Sequence, residues 1–374
     1  MLMHIDTRQL FRLLCQPALA RELSLAEWQQ VIFILREAKL LASFCISAER
    51  QEQLQHFPAY AKRHLISAKV YANRQAQQVR FECAELHKLL AAEGIEVVFL
   101  KGAAYTLANT TNFEGRICSD LDVLVKKPQL DAAEALLQAN SWRSSILTDY
   151  DERYYREWAH EIPPLAHMHR GTVLDLHHNL YLPISGRAAD MKLFFAQLSC
   201  TVEGYSVLAK PAMVLHSIIH LFTNEDTSSA MRDLWDLYLL LPQHNDDTFW
   251  QQLTELACKT GFNTELLDCL AVLQYYFAID YVVSSNGIVS ATDIKKHRFW
   301  RASVLPYAMV PEHSSILTLR HKLAKQLVYL HGHWIKMPAT VLVKHLMLKS
   351  WLGLRDKVFG KYHFDPKLPP NQHW

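Results

Sequence analysis

The sequence predicts an α+β fold in which a mixed α/β core lies between two helical regions. Apolar residues recur at three- and four-residue spacing as far as about residue 92. Short alternating or β-branched runs then follow from about residue 93 to 205. The helical spacing returns from 206 to 374. We therefore divide the chain into an N-terminal helical region, a mixed core and a C-terminal helical region, and expect them to pack as one unit.

The composition is that of an ordinary globular protein. The 374 residues are 50% hydrophobic and 20% charged, and the formal net charge of +2 gives no overall preference for nucleic acid or membrane. Seven scattered cysteines without a C-x-x-C pair argue against a disulfide framework or a thiolate zinc site, and favour a reducing cytoplasm. No signal-peptide pattern is visible, and charges interrupt the most apolar early segment, so we expect no transmembrane segment.

The N-terminal region, residues 1 to 92, is predicted to be helical. Val31, Leu35 and Ala38 follow the helical spacing, and no glycine precedes Gly94. Ser24 is followed three residues later by a glutamate, which is the capping-box pattern that satisfies free amide donors at a helix start. This pattern predicts that a helix begins directly after Ser24.

The mixed core, residues 93 to 205, begins with a predicted strand, turn and helix. The strand "EVVFL" runs into Lys101-Gly102 and then into "AAYTLAN". A strand-to-helix turn of this kind can place backbone amides and a cation against a phosphate, and Gly102 would permit a close approach. The alternative is a simple turn with Lys101 in solvent. We predict further strands at "DLDVLVK" and "TVLDLHHNL", with a helix at "QLDAAEALLQAN" between them.

Two carboxylates one residue apart, Asp120 and Asp122, are the candidate reactive groups. Side chains at i and i+2 of a strand point to the same face, so both would share one solvent-facing spot. Like charges this close need neutralisation, and Mg²⁺, or Mn²⁺ in its place, prefers such oxygen ligands. Two ions can clamp an in-line phosphoryl or nucleotidyl displacement, and Asp175 is the candidate third carboxylate. The D-x-D pair by itself also fits a strand end with solvated carboxylates.

In this order, the pieces "FLKGAA", "GRICSDLDVLV" and "LDLHHNL" resemble the uncharacterised bacterial nucleotidyltransferase family of the DNA polymerase β-like superfamily. The resemblance covers roughly residues 93 to 260. Better studied members of the superfamily have Gly-Ser or Gly-Gly at the first turn, whereas this chain has Lys-Gly-Ala. The positions that match the family pattern are Lys101, Gly102, Arg116, Ser119, Asp120, Asp122, Asp175 and His177.

The resemblance implies a polymerase β-like core, a small mixed sheet with helices, that transfers a nucleoside monophosphate from an NTP to a hydroxyl and releases pyrophosphate. Asp120 and Asp122 would bind Mg²⁺, and Asp175 would bind metal or act as the base for the acceptor. ATP is the default nucleotide, and the acceptor is left open among a small molecule, a sugar, a protein side chain and an RNA end. The residues implied on the phosphate side are Lys101, Gly102, Arg116, Ser119 and His177. We expect the loop from 109 to 114 to rim this site.

Two other classes of protein stay open at this point. The same fold can lose catalysis and persist as a binding or regulatory module, such as one partner of a toxin–antitoxin or polysaccharide gene pair. Five histidines between residues 160 and 178 suggest a histidine-ligated metallohydrolase, although no H-E-x-x-H motif is present. Asp233 and Asp236, three residues apart on a predicted helix, are expected to form a cap or a buried ion pair.

The C-terminal stretch from 320 to 361 has nine basic residues and one acidic residue, a local excess of eight positive charges. Leucine, valine, tyrosine and tryptophan alternate with these charges. Such a segment predicts an amphipathic surface for anionic lipid or nucleic acid. It equally fits a solvated helical face above a stripe of core residues.

Overall fold

The computed structural model describes residues 6–144, 149–242, 246–278 and 299–343, together with Met347, Trp351 and Arg355. In these ranges the chain is a mixed α+β fold with a single seven-stranded sheet, as the sequence predicts. The boundaries at residues 92 and 205 remain predictions. The buried apolar side chains form one continuous cluster that extends from Leu10 to Val328 and includes residues of all three regions.

Four main helices form the N-terminal region. The predicted capping box is present, since the Glu27 carboxylate accepts the Ser24 backbone N–H at 2.8 Å and the Ser24 hydroxyl accepts the Glu27 N–H at 3.4 Å. The second helix therefore begins where the sequence predicts it. The helices are α1 Thr7–Cys15, α2 Leu25–Glu37, α3 Leu41–Arg50 and α4 Ala59–Ala92.

The sheet has the order β3-β4-β5-β2-β1-β7-β6. The pairs β2/β5 and β1/β7 are parallel and the other pairs are antiparallel, so the sheet is mixed. The strands are β1 Val98–Phe99, β2 Leu121–Leu124, β3 Trp142–Ser144, β4 Leu165–His167, β5 Val173–His177, β6 Leu198–Cys200 and β7 Ser206–Leu208. The helices of the mixed core are α5 Lys101–Leu107, α6 Leu130–Ala139, α7 Asp149–Arg153 and α8 Met191–Phe195. The strand-to-helix turn at the start of α5 is thus present.

The C-terminal region is helical, as predicted. Its helices are α9 Lys210–Thr223, α10 Ala230–Leu240, α11 Asp247–Thr260, α12 Asn263–Phe277, Leu305–Ala308 and Leu319–Lys336. We call the last of these the C-terminal helix. Within the described ranges, none of the helices combines the length and the hydropathy that crossing a membrane requires.

The long helix α4 braces the sheet at two places. The Gln75 side-chain amide donates to the Cys118 carbonyl and accepts the Cys118 N–H at 2.8 Å, which holds the segment that leads into β2. The buried Glu82 carboxylate accepts hydrogen bonds from Arg170 at 2.7 and 2.8 Å and from Thr172 at 2.9 Å, between β4 and β5. The N-terminal region therefore fixes both strands that carry the candidate carboxylates.

Helix α3 touches the same leading segment at Gly115. The residue has φ of +75°, and an added Cβ would lie 2.8 Å from the backbone atoms of Ala42 and Ser43. The Ser43 hydroxyl also donates to the Gly115 carbonyl at 3.3 Å. Only glycine satisfies both the left-handed backbone and this close approach.

Gly115→Ala is therefore expected to destabilise the protein by about 3 kcal/mol, because it combines left-handed strain with overpacking against rigid backbone. Gly94→Ala is the matched control, since Gly94 has φ of +67° but open space around its Cβ position. It should lose only about 1 kcal/mol. Urea denaturation measures the free energy of unfolding of both variants. Equal losses would show that the contact with α3 does not contribute to stability.

Candidate active site

The three predicted carboxylates lie on or directly beside the parallel strand pair of β2 and β5. Asp122 and Asp175 are register partners on β2 and β5, and Asp120 directly precedes β2. Asp120 is exposed and Asp175 is partly buried, whereas Asp122 is only 4% exposed. The expectation that Asp120 and Asp122 share a solvent-facing spot is therefore wrong for Asp122, because neighbouring side chains cover it.

Those neighbours are Lys101 and His177. One oxygen of Asp122 accepts hydrogen bonds from the Lys101 ammonium at 2.7 Å and from His177 Nε2 at 3.1 Å. Burial opposes ionisation of Asp122, but Lys101 and His177 outweigh it and hold the pKa of this carboxyl well below its usual range. Asp122 is thus a charged carboxylate inside the fold.

His177 links two acidic groups. Its Nδ1 lies 3.3 Å from a carboxylate oxygen of Glu161, at ion-pair distance, while its Nε2 faces Asp122. Burial disfavours the charged imidazole, but Glu161 and then Asp122 prevail and raise the pKa of His177. His177 therefore lies between two carboxylates that both favour its charged form.

Glu161 brings a second histidine into the cluster. The ligand atoms of His160, Glu161 and His177 all lie within 4.8 Å of one another, a mixed set that could hold a metal ion. Burial keeps the pKa of His160 well below its usual range, so its imidazole is neutral. The histidines that the sequence suggests as metal ligands therefore do meet in part, but His177 is already bonded to Asp122.

Asp175 is the least satisfied of the carboxylates. Its buried Oδ1 has no hydrogen-bond partner among the described residues. Burial, followed by the charges of Glu161 and Asp122, raises the pKa of Asp175 to about 7. An unsatisfied carboxylate oxygen among other carboxylates is the donor set that a hard divalent cation such as Mg²⁺ prefers. The free oxygen of Asp175 therefore suits such an ion, whereas the ligand atoms that lie within 4.8 Å of one another are those of His160, Glu161 and His177.

Two cavities flank this cluster. The first has a volume of about 200 Å³ and the second of about 330 Å³. They share Lys101, Asp120, His220 and Asn224, so they meet at the carboxylates. The first is lined further by Gly102, Arg116, Ser119, Asp122, Arg232 and Asp233. The second is lined further by Tyr154, Tyr155, His160, Glu161, Asp175, His177, Tyr181, Glu225 and Lys336.

Arg116 lies in the wall of the first cavity but is bound on its protein side. Its Nε donates to Asp236 at 2.7 Å, and its side chain is only 8% exposed. Asp236 also accepts from Asn112 at 2.9 Å. The buried ion pair expected at Asp236 is therefore present. An added Cβ at Gly102 would collide with Arg116 and Cys118, so packing explains this glycine as well as an approach to phosphate does.

The loop from 109 to 114 does not line either cavity, contrary to the expectation from the sequence. Thr111 donates to the Leu239 carbonyl at 2.6 Å, and Asn112 reaches Asp236, so this part of the loop packs on α10. Glu114 accepts from Arg50 at 2.7 Å at the end of α3. The polar side chains of this loop therefore form hydrogen bonds with α10 and α3 and do not line the cavities.

Sequence reasoning missed several residues of the site. Lys39 donates to the Ser119 hydroxyl at 2.7 Å, although it is 80 residues away along the chain. Arg232, which lines the first cavity, is held by Asp233 at 2.8 and 2.9 Å. Glu161 lies in "HEIPP", and Arg232 directly precedes the aspartates of α10. Proximity to recognised motifs was the available signal for Glu161 and Arg232, whereas Lys39 had none.

A mixed sheet with acids on adjacent strands, beside a strand-to-helix turn that carries a lysine, agrees with the core that the resemblance to nucleotidyltransferases implies. Residues 24–278 match the model of an uncharacterised nucleotidyltransferase family, so the chain belongs to that family. The match begins well before residue 93 and thus includes α2 to α4, which brace the site. Comparisons with curated proteins and with solved structures found no match.

Asp236→Asn should lower the free energy of unfolding by about 2 to 4 kcal/mol, because it leaves the buried Arg116 guanidinium without its closest charge partner. Asp226→Asn is the control, since Asp226 is exposed and accepts hydrogen bonds from Ser228 in its own turn. It should change stability by less than about 0.5 kcal/mol. Thermal and urea unfolding provide the measurement. A stable Asp236→Asn protein would mean that Arg116 does not depend on this pair.

Proposed function

We propose that the protein is a Mg²⁺-dependent nucleotidyltransferase that moves a nucleoside monophosphate from an NTP to an acceptor hydroxyl and releases pyrophosphate. The observation that carries this proposal is the pairing of Asp122 with Asp175 on adjacent strands, with Asp120 directly before β2 and an unsatisfied oxygen on Asp175. Membership of the family supports nucleotidyl transfer. These three residues would hold Mg²⁺, or Mn²⁺, which when bound stabilises the charge that develops on the phosphoryl oxygens.

The first cavity is the proposed place of the triphosphate. Lys101 has three ammonium protons and uses one of them on Asp122, so the others can bind phosphate oxygens. Arg116, Arg232 and Ser119 line the same cavity and add positive charge and a hydroxyl. Positioned cations and donors are the main contribution that a protein makes to phosphoryl transfer. ATP is the first nucleotide to test.

The second cavity is the proposed place of the acceptor. Attack on the α-phosphorus comes from the side opposite to the leaving pyrophosphate, and the two cavities meet at Lys101 and Asp120. Asp175 lines only the second cavity, so it faces the incoming hydroxyl. With a pKa near 7, Asp175 can accept the hydroxyl proton or complete the metal ligands.

A second candidate function is an inactive binding or regulatory module with the same fold. The observation that favours it is the bonding of Asp122 to both Lys101 and His177, because this neutralises the carboxylate without a metal. In such a module the two cavities would remain but no Mg²⁺-nucleotide would bind. Transfer activity and binding of Mg²⁺-NTP separate the two functions.

Asp122→Asn should reduce transfer by roughly a thousandfold or more, because it removes the charge between Lys101 and His177 and a proposed metal ligand. The assay supplies an NTP labelled at its α-phosphate, with Mg²⁺ or Mn²⁺ and cell extract, and follows label transfer and pyrophosphate. Asp131→Asn, at an exposed position in the first turn of α6, is the control and should keep full activity. Equal signal from both variants would overturn the proposal. A wild-type protein that binds no Mg²⁺-NTP in calorimetry but co-purifies with a partner would favour the binding module.

Mg²⁺ affinity is expected to rise with pH up to about 7 and then to level off. Below that pH Asp175 is protonated, so the ion must displace a proton, and affinity falls by up to about tenfold per unit. Titration calorimetry of the nucleotide-free protein at a series of pH values measures the Mg²⁺ affinity. Asp175→Asn should bind Mg²⁺ more weakly and lose the dependence near pH 7. An unchanged pH profile in that variant would remove Asp175 from the metal site.

A further inference from the structure

The C-terminal helix Leu319–Lys336 exposes a row of large apolar side chains on its outer face. The row consists of Leu319, Leu323, Leu327, Leu330 and Trp334, which we call the leucine stripe. Their spacing of three and four residues places them on one side of the helix. They are 45 to 73% exposed. The sequence left open whether such a stripe belongs to the core, and the structure places it outside.

The opposite face of the same helix is already in use. Ala324, Val328 and Gly332 are buried against the protein, and an added Cβ at Gly332 would lie 3.0 Å from Glu225. Lys325 donates to the Thr227 hydroxyl at 2.9 Å, which helps to fix the rotation of the helix. Because small residues seat the helix, the leucine stripe cannot turn inward without losing this packing.

The charges around the stripe have one sign. The C-terminal helix contains no acidic residue, and Arg320 and Lys322 are exposed beside the stripe, whereas Lys325 and Lys336 are paired with Glu312 and Glu225 on the inner side of the helix. Two copies that paired through the stripe would bring these like charges together, which is unfavourable. A nucleic acid would neutralise the charges but would leave the leucines in water, since its backbone offers no apolar surface at that place. An anionic lipid surface is complementary to both features.

The aromatic residues agree with a bilayer interface. Trp334 lies at the end of the stripe and Tyr329 beside it, and both are exposed. Val343, Met347 and Trp351 follow at four-residue spacing and are also exposed. Tryptophan and tyrosine are enriched where one end of a side chain meets lipid and the other meets water. Exposed apolar side chains are therefore also present after the C-terminal helix, at these three residues.

We propose that the leucine stripe and its basic neighbours dock the protein on an anionic phospholipid surface. The helix lies in the plane of the interface, with its leucines among the acyl chains and with Arg320 and Lys322 at the headgroups. Lys336, at the end of this helix, also lines the second cavity. Docking therefore brings the rim of that cavity close to the membrane, whatever the cavity binds.

The test is cosedimentation of the full chain with vesicles of phosphatidylcholine alone and of phosphatidylcholine mixed with phosphatidylglycerol. We expect binding to the anionic vesicles only, weakened by salt. Leu323→Asp/Leu327→Asp should lower this binding by at least about tenfold. Lys322→Glu, a change of charge alone at an exposed position, should lower it by several-fold. The unfolding midpoint of each variant confirms that it is folded.

Ile66→Asp/Val70→Asp is the matched control. These residues are another exposed apolar pair at i and i+4 of a helix, and Lys69 between them is paired with Glu49. The control should bind anionic vesicles as the wild type does. Equal binding by the stripe variant and the control would overturn the proposal.

Three other results would overturn the proposal and assign the leucine stripe to a different role. Binding of an RNA homopolymer without vesicle binding would assign the surface to nucleic acid. A dimer that the stripe variant dissociates, again without vesicle binding, would assign it to a second copy of the chain. A lowered unfolding midpoint without vesicle binding would show that the stripe is covered within the protein. Each of these readouts is independent of nucleotidyl transfer.

Discussion

The ion pair between Lys101 and Asp122 is the interaction on which the site depends. Asp122 lies on a buried strand, where an isolated carboxylate would be strongly disfavoured. Lys101, from the turn after β1, and His177, from the end of β5, keep it charged. The pair therefore joins three separate elements at one atom. The sheet register, the position of α5 and the charge of His177 are all compatible with this arrangement.

A second ion pair supports the first from outside. Arg116 precedes β2 and is bonded to Asp236 of α10, while Gln75 of α4 holds the neighbouring Cys118 backbone. The segment that ends in Asp120 is thus clamped between the N-terminal and C-terminal helical regions. The family match extends to residue 24, and the bracing helices explain why it does not stop at the sheet. The helical regions are part of the site because they position its carboxylates.

The parts of the chain differ in what they contribute to function. The carboxylates, the first cavity and most of the second lie within residues 24–278, which match the family. Lys336 and the leucine stripe lie beyond that range. The proposed phosphate chemistry lies in the part of the chain that matches the family, whereas Lys336 in the wall of the second cavity and the exposed apolar surface come from a segment outside the match. A change in that segment would leave the three proposed metal-binding acids in place.

Local patterns in the sequence determined the helices, the strand-to-helix turn at Lys101 and the three acids, since hydrophobic period, caps and short motifs act within a few residues. The tertiary structure decided which groups meet. Lys39 reaches Ser119 across 80 residues, and Glu161, which precedes β4, reaches His177 at the end of β5. It also decided that Asp122 is buried, that Arg116 is bonded to Asp236, and that the leucine stripe faces outward. Burial and ion pairing depend on distances between elements, and the period of a sequence does not contain those distances.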